Sequence, residues 1–346
     1  MTGLRFPAGR AGAFAAVGLV VAGEICMDVG AAIAVFVFPT VGPLGMVMLR
    51  LVFSALILVV LTRPRVRGYA GDAWLSVIGY GVVLATMNGL FYLALDRLPL
   101  GVTVTIEVLG PLVLSIVASR RASAWLWALI ALGGVVALGG GGWDRLDPLG
   151  VVFALGAATS WAFYILAAAR VGQAFPKLDG LAIAMTIGAV LSLPFGIIAA
   201  GASLLRPEVL GLGAAVALLS STIPYAFELI ALRRVPAAAF AILMSMSPAT
   251  AALAGFVVLG QELSTLEVAG ILLVIIAGIG AVRMGVADAE SAGAGPPSLA
   301  TGPLTVPGAM LADPTGPLAI LNPPLTGPLT TLPPPGPEEP FAEPRA

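Results

Sequence analysis

The chain has 346 residues, of which 59% are apolar and only 10% charged, and its mean hydropathy is +1.04. Too few polar residues remain to cover a water-facing surface, so the solvent of this fold is mostly lipid. A net charge of −1 excludes the basic surface a nucleic-acid partner needs, a single cysteine excludes a disulfide framework, and the lack of any histidine excludes His proton relays and His metal sites.

Hydrophobic runs matched to a bilayer core of roughly 30 Å predict ten spans. They fall near residues 14–37, 43–61, 74–95, 100–118, 124–142, 148–169, 180–200, 209–231, 237–259 and 266–284. The first span follows Arg5 and Arg10, as a signal peptide would, but it continues past 20 residues and carries Glu24 and Asp28 where cleavage would fall. It reads as an uncleaved span.

Glu24 and Asp28 lie four apart, on one helix face, where two ionised carboxylates repel. One is expected to be protonated or paired with Arg50 in the second span. Two readings of Arg50 stay open: a structural ion pair with Glu24, or contact with an anionic group of a solute. Glu24 itself fits either a helix–helix hydrogen bond or the solute path. Each such charge costs roughly 2.5–3.5 kcal/mol at a helix centre, so it is expected to face the bundle interior or a wet cavity.

The third span carries Asn88 and Tyr92. In the fourth, Glu107 stands four residues before Pro111, and proline removes the hydrogen bond that the Glu107 carbonyl would accept. A backbone acceptor is thereby opened beside a carboxylate at membrane depth. The glycines of the fifth span suit close helix contact, and Gly139 to Gly142 lack the Lys-Ser/Thr of a phosphate-binding loop. No cofactor and no metal is expected, and transport driven by nucleotide hydrolysis is not. Trp161 and Tyr164 in the sixth span fit packing or the solute path. The eighth span brings Tyr225 and Glu228, and the ninth has Ser247 directly before Pro248, the same broken-helix pattern as the fourth.

Pro39, Pro99, Pro111 and Gly133 recur without a gap 137 residues later, as Pro176, Pro236, Pro248 and Gly270. Each half is therefore expected to hold one five-span unit, and an odd number of crossings inverts the second relative to the first, as in secondary transporters. The first unit is expected over 14–142 and the second over 148–284, after a cytoplasmic N-terminus at 1–13. With the N-terminus inside, Arg5, Arg10, Arg63, Arg65, Arg67, Arg120, Arg121, Arg170, Lys177, Arg233, Arg234 and Arg283 are cytoplasmic, against Arg97, Arg145 and Arg206 outside. That bias places both termini in the cytoplasm.

From residue 285 the composition changes: 15 of the 28 prolines lie in 285–346, with Thr-Gly-Pro-Leu at 301–304, 315–318 and 326–329. A disordered cytoplasmic tail is expected there, either inert or a ligand for a proline-recognising module of unassigned identity.

Several motifs together carry a resemblance. They are Met87-Asn88-Gly89-Leu90-Phe91-Tyr92-Leu93, Pro99-Leu100-Gly101, Glu107 to Pro111, Ser119-Arg120-Arg121, Trp161 to Leu166, Pro224-Tyr225 through Glu228 to Ala231-Leu232, and Leu243 to Met246 before Pro248. Over roughly residues 14 to 284 the sequence resembles the drug/metabolite transporter superfamily, its EamA branch and, within that, the threonine and homoserine exporters of the inner membrane. The resemblance implies a transporter rather than an enzyme. It implies alternating access about a midplane cavity lined by spans one, three, four, six, eight and nine, and export of small amino acids or related metabolites in exchange for protons. Glu107, with Asp28 or Glu228, is then expected to move the proton, while Asn88, Tyr92, Tyr225 and the backbone near Pro111 and Pro248 hold the solute. The expected partners are a small-molecule solute, protons and lipid, with a homodimer allowed.

Two departures from that pattern bear on substrate. Those exporters carry glutamate immediately before the ninth-span proline, where this chain has Ser247. They carry a neutral amide where this chain has Asp28. After the ninth span, Gly-Glu of the exporters is Gly260-Gln261 here, with the acid moved to Glu262. Drug efflux by the same fold, and a membrane sensor or scaffold acting through the tail, are the rival functions.

Overall fold

The structure is a computed structural model that describes residues 10–118, 124–138, 146–176, 178–224, 227 and 243–291. Among the described residues all regular structure is helical. The first helix, α1 (Arg10–Thr62), carries the first two expected spans and breaks at Gly42, whose φ of 69° and ψ of 165° only glycine adopts readily. Pro43 adds to the break, because the residue before a proline is pushed out of the helical region.

The chain reverses at that break. A Cβ built on Gly30 would lie 3.2 Å from the Ser220 Cβ, and Arg50 Nη2 reaches the Ser220 carbonyl at 3.2 Å. Residues 30 and 50 would stand about 30 Å apart on a straight helix, so the two arms fold back on each other.

The other helices are α2 (Gly71–Leu95), α3 (Leu100–Glu107), α4 (Leu109–Ala118), α5 (Ala124–Leu138), α6 (Pro148–Ala174), α7 (Asp179–Ala200), α8 (Pro207–Ala217), α9 (Ser247–Leu259) and α10 (Thr265–Ser291). A 3₁₀ turn (Gly201–Leu205) precedes α8 and a π-helical turn (Leu218–Thr222) follows it. The eighth span is therefore α8 plus that turn, and the beginning of the ninth lies outside the described residues. Helix α10 continues to Ser291, beyond the end expected at 284. No proline stands in the way before Pro296.

Local chemistry explains the helix ends. Asp147 caps α6, accepting from the amides of Leu149 at 2.8 Å and Gly150 at 3.2 Å, with Pro148 in the first turn. Its other oxygen pairs with Arg97 at 2.7 Å, and that guanidinium holds the Asp147 carboxyl below the usual carboxylate range. Ser264 and Glu267 form a capping box at the start of α10, each side chain bonding the other's amide. Gln261 accepts from the Leu100 amide at 2.9 Å and so caps α3 from the far end of α9.

Among the described residues, five helical stretches are long and apolar enough to cross a membrane: Val17–Thr62, Gly71–Leu95, Pro148–Ala174, Asp179–Leu205 and Thr265–Arg283. Shorter apolar helices accompany them. Many large apolar side chains face outward, among them Phe36, Trp125, Ile198 and Val257, which suits contact with lipid tails. The main buried cluster lies between α1, α2, α6 and α7.

Without a hydrophobic force between helices in lipid, close approach at small residues holds them together. Gly134 of α5 faces the Gly270 carbonyl of α10, Gly101 of α3 faces Ala252 of α9, and Gly45 of α1 faces Ala200 of α7. At Gly110 of α4, an added Cβ would overlap the Ala158 carbonyl of α6. Gly110→Ala should therefore force α4 off α6 and destabilise the protein by about 1–3 kcal/mol, seen as a lower melting temperature in detergent. Gly133→Ala, whose Cβ meets nothing within 4 Å, should stay within about 0.5 kcal/mol of the parent. Equal melting of the two variants would contradict the packing described.

Candidate functional site

Proline chemistry opens the site. Pro111 has no amide hydrogen, so the ladder lapses between α3 and α4 at the Glu107 carbonyl while the chain keeps its course, Val108 bonding Val104 at 3.0 Å and Leu112 bonding Val108 at 3.2 Å. Glu107, half-buried, ends α3 at this point and lines a cavity of about 110 Å³. Roughly 10–15 Å³ of such space admits one water, so several waters or a small solute fit.

Asp28, Arg50, Asn88, Trp161, Tyr164 and Ser247 line the same cavity. With Glu107 these residues stand on six different helical segments, from both halves of the chain. Tyr92, fully buried, lies behind Arg50 rather than in the lining. Pro111 and Pro248 act through the backbone beside it, and Glu24 stands one turn from Asp28 outside the lining. Tyr225 and Glu228 lie outside the described residues. Beyond the expected spans, the second contributes Arg50 and Leu51 and the seventh contributes Met185.

Arg50 is held at three points. Nη1 donates to Asn88 Oδ1 at 2.9 Å, Nη2 donates to the Ser220 carbonyl at 3.2 Å, and the guanidinium carbon sits 5.6 Å from the Tyr92 ring centroid. Asn88 is fixed in turn by donating to the Leu84 carbonyl at 2.8 Å. The ion pair expected between Arg50 and Glu24 is not formed. Among the described residues the ion pair present is Arg97 with Asp147, at the protein surface. Both arms of α1 meet the π turn, but Arg50 turns towards Asn88 of α2 while Glu24 turns towards Ser247 of α9.

Glu24 lies against the Ser247 hydroxyl and Asp28 against that of Thr250, so both acids approach the first turn of α9. A helix N-terminus carries partial positive charge and suits them there. Both are nearly fully buried, at 4% and 3% exposure. Glu24 Oε2, Asp28 Oδ2 and the Tyr92 hydroxyl accept or donate no hydrogen bond among the described residues.

Ser220 and Ser221 were not anticipated. Both line the cavity, and Ser221 is bonded by Ser54 of α1 at 3.1 Å. The signal was the run Ser220-Ser221-Thr222 inside an apolar span just before Pro224, where the helix widens to a π turn.

An EamA-like transporter family model matches residues 148–283. The chain is 39% identical over 253 residues to the threonine/homoserine exporter RhtA of Escherichia coli (strain K12), covering 72% of this chain and 85% of that protein. The RhtA of Salmonella typhimurium (strain SL1344) is 38% identical over the same shares. The chain belongs to the EamA-like transporter family. It is accordingly a multi-pass inner-membrane transporter of small solutes and not an enzyme. One solved structure, described as "Crystal structure of protein", shares 20% identity over 78% of this chain and 98% of that one with a TM-score of 0.49, a likeness too loose for any argument.

Asp28 and Ser247 of this EamA-like chain line one cavity. Glu262 is exposed, and Gln261 serves as the α3 cap. Asn88→Ala removes a bond to a charged group and should cost about 1.5–3 kcal/mol. Thermal melting in detergent measures it, and an unchanged midpoint would show that Ser220 and Tyr92 hold Arg50 unaided.

Proposed function

We propose that the protein exports small amino acids of the threonine and homoserine kind, or related metabolites, from the cytoplasm by proton antiport. The observation that carries this reading is the cavity itself. It draws Asp28, Arg50 and Glu107 from the first half of the chain and Ser220 and Ser247 from the second, beside a helix opened by Pro111. Paired interruptions of this kind, at Pro111 and Pro248, mark transport sites in inverted-repeat transporters.

The transporter has ten crossings arranged as two inverted five-helix units, 14–142 and 148–284, with both termini and the proline-rich tail in the cytoplasm. Helix pairing supports this arrangement. Exchanging the halves turns the contact of α2 with α6 into that of α8 with the first arm of α1. It turns α2 on α7 into α8 on the second arm of α1, where Gly213 meets Leu49. The pairs α3–α9 and α5–α10 map onto themselves, as pairs lying on a pseudo-twofold axis do.

Alternating access rocks these halves about the cavity. Glu107, at the opened carbonyl, takes up and releases the coupled proton, with Asp28 as the second acid facing the same space. Asn88, Trp161, Tyr164 and Ser247 line the solute path. The names of the relatives support an amino-acid substrate. The exchange of acids at Asp28 and Ser247 leaves open a substrate other than threonine.

The test is excretion of each proteinogenic amino acid and of homoserine from dipeptide-loaded cells expressing the protein, with and without a protonophore. Selective, uncoupler-sensitive excretion of threonine, homoserine or a close relative is expected. No change in any amino acid, with the protein present in the membrane, would overturn the substrate reading in favour of another metabolite or a drug. Glu107→Gln should abolish proton-driven transport while leaving folded protein in the membrane. Undiminished pH-driven transport in that variant would remove Glu107 from coupling.

A further inference from the structure

Arg50 presents an unbalanced set of contacts. A guanidinium offers five N–H donors in a fixed fork, and two of them are directed at neutral acceptors, Asn88 Oδ1 and the Ser220 carbonyl. The Tyr92 ring face supports the cation from behind. No carboxylate of the described residues stands at ion-pairing distance. The group is therefore oriented without being neutralised by contact, although it sits in the interior of a membrane bundle, where an unpaired charge is expensive.

Carboxylates face the same space from other elements. Asp28 on the first arm of α1 and Glu107 at the end of α3 both line the cavity with Arg50. Asp28 Oδ2 accepts no hydrogen bond among the described residues. The cavity thus holds one preorganised cationic fork and two acidic groups, with room for a small solute among them.

We propose that Arg50 binds the α-carboxylate of the transported solute while Asp28, with Glu107, receives its α-ammonium group, so that the cavity selects α-amino acids by both charges. This assignment rests on the amino-acid export reading above. The planar fork matches a carboxylate in bidentate fashion, which lysine cannot reproduce. Asn88 and Tyr92 are then positioning residues that hold the fork in place before the solute arrives. The solute's side chain is left to the apolar and thioether part of the lining, where Met27, Met87 and Met185 adapt to shape.

The experiment is counterflow in proteoliposomes containing the full-length protein. They are loaded with each proteinogenic amino acid or homoserine, and the best-exchanged amino acid is then competed by its own α-carboxamide and by its 2-hydroxy acid analogue. For the unaltered protein, the carboxamide, which lacks the anionic charge, is expected to compete at least about a hundredfold more weakly than the acid. The hydroxy acid, which lacks the ammonium, should also compete poorly. Arg50→Gln should reduce the acid-to-carboxamide ratio to about threefold or less, and Arg50→Lys should weaken the acid by about tenfold through loss of the fork.

A carboxamide that competes as well as the acid on the unaltered protein would overturn the Arg50 assignment while leaving amino-acid export intact. So would an Arg50→Gln protein that keeps the full ratio. If that variant does not reconstitute, the comparison on the unaltered protein decides the matter alone. Absence of counterflow with every amino acid would overturn the export reading and this assignment together.

Discussion

A charged side chain in a bilayer has no solvent to fall back on, and the accommodation of Arg50 is the constraint from which the centre of this structure follows. Its three supports come from two elements: Asn88 and, one turn further along, the Tyr92 ring from α2, and the Ser220 carbonyl from the π turn. The Ser220 carbonyl is free to accept from Arg50 because its donor in an α-helical ladder would be the amide of residue 224, and Pro224 has none. Deviation from ideal helix on one side and the Pro111 interruption on the other both expose backbone acceptors. Exposed backbone at membrane depth is tolerated only where it is buried in protein or lines a cavity, so the two interruptions and the cavity are one feature.

The remainder of the bundle is built from close approach. Gly134 against Gly270, Gly101 against Ala252 and Gly110 against Ala158 bring backbones together where larger residues would hold them apart. These contacts join helices of opposite halves. Of the polar links that cross elements, Arg97 with Asp147 and Gln261 with the Leu100 amide lie at helix ends, whereas Arg50 with Asn88 and the Ser220 carbonyl, and Ser54 with Ser221, lie beside the cavity.

Apolar run length carried most of the fold, because in lipid every span must satisfy its own backbone and so announces itself as an unbroken hydrophobic stretch. Pro111 revealed the opened carbonyl at Glu107 for a similar reason, since its effect is local and covalent. The break at Gly42 falls between the first two expected spans, and Pro39 and Pro43 flank it. The partner of Arg50, by contrast, was misjudged. Opposite charges in neighbouring spans suggest an ion pair, but which faces meet is decided by small residues such as Gly30, whose contact with Ser220 draws the π turn towards Arg50. Ser220 was missed although Pro224, four residues on, removes the amide that would occupy its carbonyl, the same signal that Pro111 gives for Glu107.

The placement of the acids acquires a physical sense from the same geometry. Asp28 and Ser247 face one cavity across the contact between α1 and the first turn of α9, and the Ser247 hydroxyl lies against Glu24. A glutamate at position 247 would add a third carboxylate beside Glu24 and Asp28, and the nearby helix N-terminus offers only about half a positive charge to offset it. A hydroxyl there avoids that crowding, while Asp28 on α1 keeps a carboxylate at the cavity that Arg50 also lines.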